Sequence, residues 1–348
     1  VLYEMVPPPR HLAFAITTRI KVMANLDIAE RRKPQDGKIA FKKYGGKDIE
    51  LRVATIPTQG GLEDIVMRIL AAGEPIPLNK MGFSKNNFKN FIDVVTQPYG
   101  IIFVCGPTGS GKTTTLHSAL SHINVPDRKI WTAEDPVEIT QRGLRQVQVR
   151  PKIGFDFAAA MRAFLRADPD VIMVGEIRDA ETAENAIRAA LTGHLVFSTV
   201  HTNDAATGVT RMLDMGVEDY LLTSTVNAIL AQRLVRMLDP ESREPYELLP
   251  EVVEEIGLKE LGEREPYVFY RPVASEINPT GYRGRTSILE LLVMSDPIRR
   301  QVMRHATSGE IQYLAVEEGM RTMYFDGLNK CLQGVTSLDE VLRVTQEA

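Results

Sequence analysis

The chain has 348 residues, 44% of them hydrophobic and 25% charged, with a formal net charge of −4. This composition excludes a disordered or low-complexity chain, gives core enough for about two or three domains, and offers no overall basic field for nucleic acid or acidic lipid. The only two cysteines, Cys105 and Cys331, exclude a disulfide framework or a metal site built on cysteine pairs, and fit a reducing cytoplasm. No apolar run approaches the about 20 residues of a membrane helix. No signal peptide is visible and the first residue is Val1, so a piece of a longer protein is expected.

Residues 1–78 read as a small α+β domain. Leu12 to Ala24 suits a short helix, and Lys38 to Ile56 a strand pair around Tyr44-Gly45-Gly46-Lys47. Leu62 to Ala72 has apolar residues at helical spacing, with a strand as the alternative. The run Ala72-Gly73-Glu74-Pro75-Ile76-Pro77 resists regular structure, and a linker is drawn over 79–89.

Residues 90–237 alternate short apolar strands with helical stretches. The strands are Ile101–Val104, Lys129–Thr132, Val171–Val174 and Leu195–Ser198, with helices expected from Phe157 to Ala167 and from Ala180 to Thr192. This alternation predicts a doubly wound, mostly parallel α/β sheet. Residues 238–285 read as an irregular insertion and 286–348 as a helical C-terminal subdomain. Ser295 before Pro297, Thr307 with Glu310, and Ser337 with Glu340 have the spacing of helix N-caps.

The strongest motif is Gly106-Pro107-Thr108-Gly109-Ser110-Gly111-Lys112-Thr113, a full G-x-x-x-x-G-K-[ST] phosphate loop between a predicted strand and a predicted helix. Its glycines let successive N–H groups turn toward an anion, and the helix start adds partial positive charge. Lys112 is expected on the β and γ phosphates and the Thr113 hydroxyl on Mg2+. Glu176 ends the strand Val171–Val174, with Gly175 where many such ATPases place an aspartate; it is expected as a water-mediated Mg2+ partner or as the base for the attacking water. Glu134, first of three acids with Asp135 and Glu138, is expected to polarise the attacking water from the end of another strand. His201 lies just past a strand end near the expected phosphates, and His194 at the opposite end; His117 and His122 read as structural or solvated.

These segments together resemble the secretion ATPases of type II secretion and type IV pilus assembly machines. The carriers are Arg19–Ala24, Glu30–Gly37, the phosphate loop, Ala133–Glu138, Asp168–Asp179, Thr192–Asn203 and Gly281–Arg285. The resemblance implies a RecA-like P-loop core behind a PAS-like domain, and a homohexameric, Mg2+-dependent ATPase. It implies nucleotide contacts from Gly106 through Thr114, with Glu138, His194 and His201, and catalytic arginines at Arg52 and Arg68, which stand one residue further apart than in the family's commonest form. It also implies a cytoplasmic motor that reaches the inner membrane only through a platform protein and a recruitment protein. Many relatives bind zinc through two cysteine pairs in the insertion; here those places hold Asp239, Ser242, Ala274 and Ile277, so no zinc is expected and packing must hold the subdomain. The alternatives are a retraction motor of the PilT type, disfavoured by the retained insertion, and a P-loop nucleic-acid translocase, disfavoured by the acidic balance.

Overall fold

The computed structural model describes residues 5–47, 49–70, 75–261, 267–276 and 278–345. Ala72, Gly73, Glu74 and Ile277, which entered the expectations above, lie outside them. The chain divides into one unit of residues 1–74 with 138–140 and a second of residues 75–137 with 141–348.

In the first unit, helix α1 (Ala13–Met23) precedes strand β1 (Gln35–Ala40), the one-turn helix α2 (Lys42–Gly45), β2 (Glu50–Pro57) and β3 (Glu63–Leu70). The strands form an antiparallel sheet in the order β1-β2-β3. Segment 63–70 is therefore a strand, not the expected helix. Ile65, Val66 and Ile69 are β-branched, and the spacing that fits one helix face also lets Ile65 face the small core while Val66 turns outward. Ala24, Ile39 and Val53 are buried in that core. Lys21 is 1% exposed, tolerated because its ammonium meets Glu63 at 2.5 Å and donates to the Glu30 carbonyl at 2.8 Å.

The second unit runs α3 (Lys85–Val95), β4 (Gly100–Cys105), α4 (Lys112–Ile123), β5 (Ile130–Glu134), β6 (Leu144–Gln148), α5 (Phe157–Phe164), β7 (Val171–Val174), α6 (Ala180–Leu191), β8 (Leu195–Val200), α7 (Ala205–Asp214), α8 (Asp219–Thr225) and β9 (Val226–Leu238). It continues with β10 (Glu244–Glu247), α9 (Pro250–Glu255), β11 (Val268–Arg271), β12 (Tyr282–Val293), α10 (Asp296–Met303), α11 (Ser308–Glu317), α12 (Met323–Leu332) and α13 (Leu338–Thr345).

Seven strands make one sheet in the order β12-β9-β4-β8-β7-β5-β6, parallel throughout except for the antiparallel β12–β9 pair at one edge. Strands β4 and β8 are buried at every position, as a parallel strand covered on both faces must be. Alternate side chains serve opposite faces. Ile101, Phe103 and Cys105 join the cluster containing α5, α6 and α7 residues, while Ile102 and Val104 join the one containing α3 and α4 residues. The predicted mixed α/β architecture with a central parallel sheet is present.

The later part of the chain differs from expectation. Strand β12 spans the 285/286 boundary, so the C-terminal segment begins as a sheet strand and turns helical only after Val293. The insertion contains a two-stranded sheet, β10–β11, and α9. Leu258 and Phe269 pack with Leu328, Cys331 and Val341 of α12 and α13, so the insertion shares its core with the tail. Asp239, at one of the family's zinc positions, accepts hydrogen bonds from Asn278 Nδ2 at 2.9 Å and the Glu241 amide at 3.2 Å.

Two acids organise this end. Glu290 on β12 accepts from the Ala205 amide at 2.7 Å and the Met323 amide at 2.9 Å, the starts of α7 and α12, while burial pushes its carboxyl up to about 6. Thr307 forms the expected capping box with Glu310, and Ser337 Oγ accepts from the Glu340 amide at 3.4 Å, as the cap spacing predicts. The Glu340 carboxylate takes Arg236 Nη2 at 2.7 Å, the Arg236 amide at 3.0 Å and Arg343 Nη2 at 3.0 Å, tying α13 to β9.

Burial alone would raise the Glu340 carboxyl, but the hydrogen bonds from Arg236 and Arg343 outweigh it and hold it down at about 2. A carboxylate lowered in the folded state contributes stability that is present above its unfolded value and is lost as pH falls through its folded value. Glu340→Gln should therefore cost about 3 kcal/mol in urea unfolding at pH 7. The difference from wild type should shrink as pH is lowered from 5 toward 2.

Candidate functional site

The phosphate-loop sequence leaves the carboxyl end of β4, near the middle of the sheet, and enters α4. Gly106, Gly109 and Gly111 all have positive φ, at 141°, 81° and 90°. The loop closes around Lys112, whose ammonium donates to the Gly106 carbonyl at 2.7 Å and the Pro107 carbonyl at 3.0 Å. Burial pushes this lysine below its usual range, partly offset by the negative charge of neighbours including Glu176. Ser110 Oγ is buried in the same loop without a hydrogen-bond partner. A turned backbone, an ammonium held by two loop carbonyls and a hydroxyl unpaired among the described residues form a donor set that fits phosphate oxygens.

Glu176 stands just beyond β7, its side chain 13% exposed. It is ion-paired with Arg178, and its Oε2 lies 3.2 Å from His201 Nε2. The preceding Gly175 has a packing reason. A Cβ there would stand 3.2 Å from the Ala133 carbonyl and 3.4 Å from the Phe157 ring, so an aspartate would have to push β5 or α5 aside.

Glu134 has a different environment. It is 3% exposed, and Oε1 accepts from Thr132 Oγ1 at 2.6 Å and Gln146 Nε2 at 3.0 Å. Its Oε2 lies 3.0 Å from His117 Nε2. Gln141 Nε2 lies 2.8 Å from His117 Nδ1 and donates to the His117 carbonyl at 2.8 Å. Because the Gln141 amide can only donate, Nδ1 accepts and Nε2 carries the proton given to Glu134. Burial raises the Glu134 carboxyl, but these bonds outweigh it and hold it below the usual carboxylate range. Both oxygens are committed to a buried tie between β5 and α4, and Glu176 is the acid whose charge reaches Lys112.

The histidines separate in the same way. His201 Nε2 meets Glu176 Oε2 at 3.2 Å. His194 binds the Ala189 carbonyl through Nδ1 at 2.8 Å at the other end of β8, about 20 Å away at about 3.3 Å per residue, so it does not join the loop within the chain. Thr113 and Thr114 lie in the first turn of α4. Glu138 lies in the segment 138–140 that divides with the first unit. Among the described residues no group of three or more His, Cys, Asp or Glu could hold a metal ion; a Mg2+ at the loop would have to be bound chiefly by phosphate and water, with the Thr113 hydroxyl and Glu176 as the expected protein groups.

Arg52 and Arg68 belong to the first unit, where the register pairs Arg52 directly with Arg68 and also with Lys38. One face of the sheet therefore carries three cations in a cross-strand row. Like charges directly opposite one another oppose folding. Two exposed acids pair loosely with this row, Asp36 at 3.9 Å from Arg52 and Glu50 at 3.6 Å from Lys38.

Sequence reasoning missed Arg178, although its place two residues after Glu176 in an extended segment puts both side chains on one side. It also missed the partnership of His117 with Glu134 and the third cation, Lys38. These depend on helix packing and strand register.

A family model described as "Type II/IV secretion system protein" matches residues 1–343. The chain is 55% identical along its whole length to the type II secretion system protein E of Xanthomonas campestris pv. campestris, of which it covers 61%. Over 98% of its length it is 47% identical to the type IV pilus assembly ATPase PilB of Myxococcus xanthus, again covering 61% of that protein. It is 46% identical to the type II secretion system ATPase E of Vibrio cholerae, covering 68%. The chain thus spans less than two thirds of the first two relatives. Among solved structures, the pilus retraction motor PilT with bound ADP matches 90% of this chain and 78% of its own at a TM-score of 0.65 and 27% identity. The Legionella pneumophila ATPase DotB matches 91% and 78% at 0.66 and 25%. No helix among the described residues is long and apolar enough to cross a membrane.

His117→Phe should destabilise the protein by about 1–3 kcal/mol in chemical unfolding, because it removes the imidazole bonds of buried Glu134 Oε2 and Gln141 Nε2. Adding Glu134→Gln should recover part of that loss by removing the buried charge; a purely additive loss would contradict the pairing.

Proposed function

The chain belongs to the type II/IV secretion system protein family, and from that premise we propose that it is an ATP-hydrolysing, Mg2+-dependent motor for type II secretion or type IV pilus assembly. The observation that carries the reading is Lys112, enclosed by a glycine-rich turn and held by the Gly106 and Pro107 carbonyls. Phosphate oxygens are the natural replacement for those carbonyls. The relatives named for secretion or assembly are 46–55% identical, whereas PilT is 27% identical, which favours assembly over retraction.

Water attacks the terminal phosphoryl group of ATP, and Mg2+, when bound, neutralises charge on the phosphate oxygens. Lys112 and the N–H groups of the Gly106–Thr114 loop, all but the proline Pro107, bind those oxygens, and the Thr113 hydroxyl would hold the metal. Glu176 orients the attacking water and takes its proton, while Arg178 and His201 fix the carboxylate in place. Glu134 positions β5 against α4. Arg52 and Arg68 neutralise charge that spreads over phosphoryl oxygens in the transition state, consistent with a like-charged row that an anion would relieve.

The proposed assembly is a RecA-like core behind a PAS-like domain in a homohexameric ring. It works in the cytoplasm against an inner-membrane platform protein with a recruitment protein, without nucleic acid, and Glu138 and His194 contribute as family positions only.

Glu176→Gln should bind ATP like wild type while turnover falls by a factor on the order of 10²–10⁴. Wild-type turnover in that variant would remove Glu176 from the mechanism. Arg52→Ala should lower turnover at least about tenfold with the assembly state unchanged in size-exclusion chromatography; an unchanged rate would sink that assignment.

A further inference from the structure

Strand β9 outruns β4. The last paired residues are Ala231 and Cys105, so Gln232 lies one step further along, beside the phosphate loop. Its side chain is 0% exposed and both ends of its amide are used. Nε2 donates to the Ser110 carbonyl at 2.6 Å, and Oε1 accepts from Thr115 Oγ1 at 2.7 Å. One partner lies within the loop and the other in the first turns of α4, and Thr115 is itself 0% exposed. The amide therefore bridges the segment Gly111-Lys112-Thr113-Thr114 that carries the lysine and the hydroxyls.

The same residue also shapes the backbone. A Cβ on Gly106 would come within 2.4 Å of the Gln232 carbonyl, and one on Gly111 within 3.1 Å of Gln232 Nε2. Two loop glycines are thus pressed against residue 232 while holding positive φ. The bonded amide opposes their relaxation to other conformations open to glycine.

We propose that Gln232 is a positioning residue that preorganises the phosphate loop, through Ser110 and Thr115, for the polyphosphate chain of a nucleotide. It touches no phosphate; it removes the cost of ordering the loop when the anion arrives. The inference deepens the nucleotide reading above and rests on it.

The test uses the full chain and measures ADP and ATP affinity, steady-state kinetics and melting temperature for wild type, Gln232→Leu, Thr115→Val and Thr115→Ser. Loss of ground-state positioning should weaken nucleotide binding and raise KM about tenfold in Gln232→Leu and Thr115→Val, with kcat within about threefold. Thr115→Ser keeps the hydroxyl and should bind like wild type. The double variant Gln232→Leu/Thr115→Val should bind little worse than either single one, because both remove one bridge. Wild-type affinity in Gln232→Leu and Thr115→Val, with only the melting temperature lowered, would overturn the proposal and leave the nucleotide reading intact. A wild-type protein that binds neither ADP nor ATP would remove both. If Gln232→Leu does not fold, the contrast between Thr115→Val and Thr115→Ser decides the matter.

Discussion

An ammonium group enclosed by backbone must be met by oxygen, and Lys112 is met by two carbonyls of the loop that carries it. Burial disfavours the charged lysine, so the site carries an unfavourable desolvation term that phosphate oxygens can relieve. The surrounding architecture serves this arrangement. Strand β4 is buried on both faces and fixes the root of the loop, α4 fixes its exit, and β9 closes it from the side with Gln232. The loop can then hold three glycines at positive φ because its neighbours, not its own side chains, determine its course.

The two acids at the sheet's carboxyl end show how environment assigns roles to like residues. Glu134 ends β5 and Glu176 lies just past β7, strands two places apart in the chain and adjacent in the sheet. Glu134 is enclosed, with each oxygen committed to a side chain of β5, β6 or the α4 region. Glu176 is held by Arg178 and His201, both more than 40% exposed and so able to exchange partners with little loss. Gly175 keeps the space beside β5 closed to a second carboxylate. The proposed chemistry accordingly falls on one acid, with the other acting as a tie between strand and helix.

What was legible beforehand was local. The phosphate loop is eight consecutive residues, and β4, β7 and β8 are short apolar runs that stand out without knowledge of neighbours. The Thr307 cap was equally readable, since Glu310 stands three residues on and the two form a capping box. Features that depend on long-range pairing were not. Segment 63–70 satisfied two periods at once, and only its register with β2 made it a strand. The long β9–β12 pair joins residues about 55 apart, with the insertion between them, so both strands read as boundary or helical sequence. The opposition of Arg52 to Arg68, the His117 tie and the Gln232 bridge required registers and packing that no linear spacing encodes.

The account stands on the Lys112 loop as the binding place of a nucleotide that is then hydrolysed. The most direct measurement is Mg2+-dependent phosphate release from ATP by the full chain, wild type beside Lys112→Ala, with the fold of both checked by circular dichroism. Release by the wild type and none above background by the folded variant is the predicted result. Equal release by the two proteins would contradict the account.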